Sequence, residues 1–168
     1  MTIAPSSLVQ SLIDISIVAG REIMAIYATD FSAKEKGDLT PVTEADEAAE
    51  RIILSGLARL DSGIPVISEE AAAAGKIPEV SERFFLVDPL DGTKEFISKN
   101  GEFTVNIALV EHGIPVAGVV YAPALKRIFW GERGRGAAQG NVDNDMASGW
   151  TSLAVRRLPA EGAIVVAS

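Results

Sequence analysis

The hydrophobic period of this chain changes once, and that change limits its fold more than any other feature. Over 6–29 the apolar residues Leu8, Leu12, Ile15, Ala19, Ile23, Ile26 and Tyr27 recur at three- and four-residue steps, the period of one helix face. After the polar connector 31–39, a second helix is expected from about Thr43, with Ala45, Ala49, Ile52, Ile53, Leu57 and Leu60 on its apolar face. Thr43 reads as its N-cap and Asp46 nearly completes a capping box, so Asp46 is assigned to the cap and left out of any site. A short strand at 64–68 ends on Glu69-Glu70, and 71–80 reads as a small-residue loop or a poor helical turn. Beyond that the apolar runs turn β-like: 84–87, 103–110, 114–121, 127–132, 136–139, 152–156 and 163–167. Glu111-His112-Gly113 separates two of them as a hairpin. Helices followed by a mainly antiparallel sheet make an α+β arrangement, with the helices layered on the sheet.

The bulk properties exclude several classes of function. At 168 residues, 48% hydrophobic and 23% charged, the chain has the balance of one globular domain with a sizeable core. No apolar run reaches the roughly 18–20 residues that span a bilayer, and no basic segment precedes the first apolar stretch as in a secretory signal. The absence of cysteine removes disulfides, zinc–thiolate sites and thiol nucleophiles, and fits a cytoplasmic protein. A net charge of −8 without a basic stripe argues against a nucleic-acid polymer as partner. It leaves small phosphorylated substrates open, because bound cations reverse the sign of an acidic pocket.

The densest chemistry lies at 86–97, where Leu86-Val87 leads into Asp88-Pro89-Leu90-Asp91-Gly92-Thr93. An apolar strand here delivers two carboxylates, three residues apart, onto what reads as a tight Pro/Gly turn. Asp88 follows four apolar residues and stands at the edge of the core, where a carboxylate must be paired or bind metal. Gly92 lets backbone approach a phosphate or a cation, and the Thr93 hydroxyl can hold an attacking water. Glu69 at a strand end and Asp38 in a Gly-Asp-Leu-Thr-Pro loop are further acids that can converge with these. The same residues also suit ordinary β-turns and solvated loops, with Asp bonding its own backbone, and residue type alone leaves both readings open. Rival chemistries fare worse. Gly75-Lys76-Ile77 lacks the first glycine and the hydroxyl of a P-loop. His112, the single histidine, falls in the hairpin turn, and the spacing is Asp-x-x-Asp where an aspartyl-phosphate phosphatase needs Asp-x-Asp. Phe129, Trp130 and Trp150 read as core or sheet-face residues.

Asp88-Pro89-Leu90-Asp91-Gly92-Thr93 resembles the signature of the inositol monophosphatase superfamily, whose members are Mg²⁺-dependent phosphomonoesterases. Its continuation, Lys94-Glu95-Phe96-Ile97 and then Asn100-Gly101-Glu102-Phe103-Thr104-Val105-Asn106, is similar to the CysQ branch, the 3′(2′),5′-bisphosphate nucleotidases. Pro41-Val42-Thr43, Val66-Ile67-Ser68-Glu69-Glu70 and Gly118-Val119-Val120-Tyr121-Ala122-Pro123 resemble the same branch. The resemblance implies an inositol-monophosphatase or sugar-phosphatase-like layered sandwich. It implies that Glu69, Asp88, Asp91 and the Leu90 carbonyl ligate Mg²⁺, two or more ions in the complete family site. Glu69, Leu90, Asp91, Gly92 and Thr93 would also touch the substrate. Asp38 and Thr93 would orient and deprotonate the attacking water, and Glu70 would stand behind the ligands. The implied reaction removes the 3′-phosphate of adenosine 3′,5′-bisphosphate by metal-activated water, a recycling step in sulfur assimilation.

The resemblance also sets expectations about the C-terminus. Residues 1–160 would form the N-terminal metal-binding domain, and 161–168 the first strand of a C-terminal α/β domain. An aspartate for a second metal would lie beyond Ser168. Expected partners are a small phosphorylated nucleotide and a second copy of the chain; the expected location is cytoplasmic, with peripheral attachment to the inner membrane as a variant. Two alternatives are an inositol or sugar phosphate phosphatase and a truncated, non-catalytic metal-binding or oligomerising module.

Overall fold

The structure is a computed structural model, and it describes residues 3–29, 40–61, 63–73, 75 and 82–162. Helix α1 spans Ser7–Tyr27; its N-cap Ser6 accepts a hydrogen bond from the Val9 amide at 3.2 Å, satisfying one of the first-turn donors. Helix α2 spans Thr40–Leu60, so it begins three residues before the expected cap and Thr43 lies inside it. Pro41 explains the shift: a first-turn proline lacks only an N–H that has no helical partner anyway. The remaining elements are β1 Val66–Ser68, α3 Glu69–Ala73, β2 Arg83–Asp91, α4 Thr93–Ile97, β3 Thr104–Glu111, β4 Ile114–Ala122, β5 Arg127–Glu132, β6 Gly136–Asp143 and β7 Met146–Leu153.

The described strands form one sheet in chain order, β1 parallel to β2 and every later pair antiparallel. The α+β expectation holds, and so does the hairpin: Glu111 pairs with Ile114 across His112 and Gly113, both at positive φ. The last described strand lies earlier than expected, at 146–153 rather than 152–156, and the expected strand at 163–167 lies outside the described residues. The segment 146–151, Met-Ala-Ser-Gly-Trp-Thr, mixes apolar and polar residues without a clean alternation and carries a glycine, and its pairing to β6 fixes it as a strand.

Both long helices pack on one face of the sheet. Leu12, Ile13 and Ile23 of α1 and Ile53 and Leu57 of α2 are fully buried with Phe85, Val87, Ile107, Leu109, Val119 and Trp130 of the sheet. Trp130 meets Trp150 edge-on at 6.3 Å, which places these aromatics in the core and on the sheet as expected. At Gly20 a Cβ would lie 2.4 Å from the Tyr121 ring, so α1 can approach β4 only because that residue has no side chain. The opposite face carries one register row of Leu86, Ala108, Gly118, Gly131, Ala137 and Leu153, a trough floored by small residues and flanked by two half-exposed leucines. Among the described residues no helix is long and apolar enough to cross a membrane.

Candidate active site

The site lies where β1 and β2 end side by side. These strands are parallel and Ser68 pairs with Val87, so Glu69, the first residue of α3, emerges beside Asp88. The outer ends of parallel strands are where open sheets present ligand-binding groups. The buried Ser68 hydroxyl donates to Glu50 of α2, tying the second helix to this strand end.

The expected tight turn is a bulged strand instead. Strand β2 runs on through Pro89 to Asp91, pairing Asp88 with Asn106 and Asp91 with Thr104. Three steps along β2 oppose two along β3, so one residue is inserted. In an unbroken strand, residues three apart face opposite ways; the bulge turns Asp88 and Asp91 to the same face. Proline is tolerated at such a position because a ladder hydrogen bond is already missing there. Gly92 then adopts φ +96°, where a Cβ would stand 3.0 Å from the Glu102 carbonyl oxygen, and Thr93 opens α4, exposed.

The acids crowd one another. Burial pushes the Asp88 carboxyl up to about 7, and the charges of Glu69 and Asp91 push the same way. The Leu90 backbone N–H, hydrogen-bonded to Asp88, opposes them, so the turn chemistry read from the sequence is present as well. Asp46 was expected to cap α2, and this is corrected: it lies inside the helix, 8% exposed, facing the site. Burial pushes its carboxyl up to about 8, reinforced by a hydrogen bond with Glu70 and by the charges of Glu70, Asp88 and Glu50. Its sequence signal was its step from Ala49 and Ile53, which puts it on the apolar face of α2. Glu70 therefore backs the site through Asp46. Asp38 lies outside the described residues.

Asn106 was also missed. It is a polar residue between buried Val105 and Ile107 on β3, and its amide donates to Asp91 Oδ2 at 3.2 Å. A trough of about 810 Å³ opens beside the acids, with Glu69, Asp88 and Asn106 at its acidic end.

Among the described residues no three acids stand in a ready-made metal cage. The donor set nevertheless suits a hard cation: every group is oxygen, and Asp46 Oδ1 and Asp88 Oδ1 are buried without a hydrogen-bond partner. Buried, unpartnered carboxylate oxygens beside further acids are what a Mg²⁺ ion would satisfy.

Residues 5–167 match the inositol monophosphatase family. The chain is 53% identical over 119 residues to the 3′(2′),5′-bisphosphate nucleotidase CysQ of Salmonella typhimurium, covering 70% of this chain and 48% of that protein. It is 44% identical over 110 residues to a histidinol-phosphatase of Mycobacterium tuberculosis, covering 66% and 41%. The crystal structure of CysQ from Bacteroides thetaiotaomicron superposes with a TM-score of 0.68 at 41% identity, covering 80% of this chain and 49% of that one. The chain spans about half the length of these relatives.

Proposed function

This chain belongs to the inositol monophosphatase family, and on that premise we propose that it carries the metal-binding half of a Mg²⁺-dependent phosphomonoesterase acting on adenosine 3′,5′-bisphosphate. The observation that carries the reading is Asp88: a half-buried carboxylate with one oxygen unpartnered, raised by its surroundings and flanked by Glu69 and Asp91. Its hydrogen bonds with Leu90 and Glu69 leave the buried Oδ1 unsatisfied, and that oxygen is the one a cation would take.

In this reading Glu69, Asp88, Asp91 and the Leu90 carbonyl hold Mg²⁺. The ion supplies a Lewis acid that neutralises the phosphate and lowers the pKa of water. The bulge aims Asp88 and Asp91 together. Gly92 lets backbone approach the phosphate, and the exposed Thr93 hydroxyl orients the attacking water. The proton goes to an acid behind it. Asp38, expected in that role, lies outside the described residues; among those described, Asp46 is buried and hydrogen-bonded to Glu70, and this reading gives it that part. Positive charge nearby would bring its carboxyl down into the range where a general base works. Ionised Asp46 would take a proton from the water as it attacks phosphorus in line, and the 3′-oxygen would leave and take up a proton from solvent, giving AMP and phosphate.

The nucleotide substrate is supported by the likeness to CysQ and by Lys94-Glu95 after the shared signature. The histidinol-phosphatase relative supports a second reading, a different phosphomonoester on the same metal site. A cytoplasmic location goes with the nucleotide reading. The test is phosphate release from adenosine 3′,5′-bisphosphate, inositol 1-phosphate and histidinol phosphate, with and without Mg²⁺, beside Asp88→Asn. Mg²⁺-dependent turnover of the bisphosphate alone, lost in the variant, is expected. Turnover of another ester would move the substrate assignment, and Mg²⁺-independent turnover would end the metal reading.

A further inference from the structure

Asn106 and Thr104 are the two β3 residues that face the bulge: Asn106 pairs with Asp88 and Thr104 with Asp91. Their side chains are chained. The Thr104 hydroxyl donates to Asn106 Oδ1 at 3.1 Å, and Asn106 Nδ2 donates to Asp91 Oδ2 at 3.2 Å. The polarity of this chain has a physical cause. A carboxylate accepts and cannot donate, so the amide must turn its NH₂ to Asp91; its oxygen then faces Thr104, whose hydroxyl can give it a proton. A one-residue bulge interrupts the ladder between Asp88 and Asp91, and the chain of side-chain hydrogen bonds ties the Asp91 carboxylate across that break to β3. Across β4, Asn106 faces Val120, so Asp91 is the polar side chain its amide is found to hold.

Building on the metal reading above, we infer that Asn106 is a positioning residue for the cation site, fixing the Asp91 carboxylate through one oxygen and leaving the other toward Asp88. The amide suits this task because it is neutral. A lysine or arginine there would neutralise Asp91 and compete with the cation, and an acid would add a further like charge. The Thr104 hydroxyl locks the amide orientation, so it acts on the site through Asn106 and not directly. Outer partners of this kind typically change metal affinity by about 10–100-fold.

The experiment is a double-mutant cycle in Mg²⁺ affinity, measured by calorimetry on the whole chain, with melting in the absence of Mg²⁺ as the control for folding. Asn106→Ala is expected to weaken Mg²⁺ binding by about 10-fold or more with little change in the metal-free melt. Thr104→Val is expected to weaken it by about threefold in the wild-type background and not at all in the Asn106→Ala background, since coupled residues are non-additive. A merely structural pair would lower the melt and add. If Asn106→Ala unfolds, Thr104→Val, which removes one hydroxyl, decides alone: unchanged Mg²⁺ affinity overturns the inference. Unchanged affinity in Asn106→Ala, with binding still abolished by Asp88→Asn, overturns it while the metal reading stands. Wild-type chain that binds no Mg²⁺ overturns both.

Discussion

Replacing Asp88 by Asn is expected to stabilise the metal-free protein above neutral pH while removing its response to Mg²⁺. The Asp88 carboxyl goes from the ordinary 3.8 to about 7 in the folded chain, so the folded state holds a proton that the unfolded state has released. A group raised in this way favours folding below its unfolded value, and that contribution is lost as pH rises through the folded one. From 3.8 to about 7 corresponds to about 4 kcal/mol for a carboxylate cut off from water. Asp88 is half-buried, and solvent screening reduces this to about 1–2 kcal/mol. Asn cannot ionise, and its NH₂ can give Glu69 the hydrogen bond that protonated Asp88 gives. Melting followed by circular dichroism with a chelator present should therefore show Asp88→Asn about 3–6 °C above wild type at pH 8. The gap should shrink steadily as pH falls below about 7, to roughly a third of its pH 8 size at pH 5, and close near pH 4. Added Mg²⁺ should raise the wild-type melt at pH 8 and leave the variant unmoved. A variant that melts below wild type at pH 8, or by the same margin at pH 8 and pH 4, would refute the account of Asp88 as an acid crowded by like charges.

Asp46→Asn separates the two roles proposed for that residue. A helix cap would lose about 1 kcal/mol of stability; a buried site acid should instead leave the metal-free melt equal or higher and reduce phosphate release by 100-fold or more, on the order of a lost general base. Gly92→Ala should destabilise the fold by about 1–3 kcal/mol, because φ there is +96° and a Cβ would meet the Glu102 carbonyl oxygen at 3.0 Å. Chemical denaturation checks it, and an unchanged midpoint would mean that the bulge relaxes freely.

Much of the fold was legible in the residues because each long element repeats its own period. The three- and four-residue steps of α1 and α2 and the short apolar runs of β2 to β5 require one face to be buried, whatever they pack against. The identities of Glu69, Asp88 and Asp91 were also legible, since acids that follow apolar strands stand at core edges. Other features depended on partners distant in sequence. Strand β7, Met-Ala-Ser-Gly-Trp-Thr-Ser-Leu, has no clean alternation of apolar and polar residues, and its pairing with β6 makes it a strand. The Asp-Pro-Leu-Asp run has turn residues, yet β3 holds it in the ladder as a bulge. Asp46 satisfied a local capping pattern, but the helix began earlier and turned that acid toward the strand ends. Asn106 was one polar residue in an apolar run until β2 placed Asp91 across from it.

The sequence by itself determined which residues are apolar at which period, and so which elements form and that acids gather at 69 and 88–91. Tertiary structure alone decided that Asp88 and Asp91 face the same way, that Glu69 stands beside them, and that Asp46 and Asn106 complete the group. The physical reason is range. Period and turn chemistry act over a few residues, whereas the direction and the protonation of a carboxylate are set by whatever other strand or helix is packed against it.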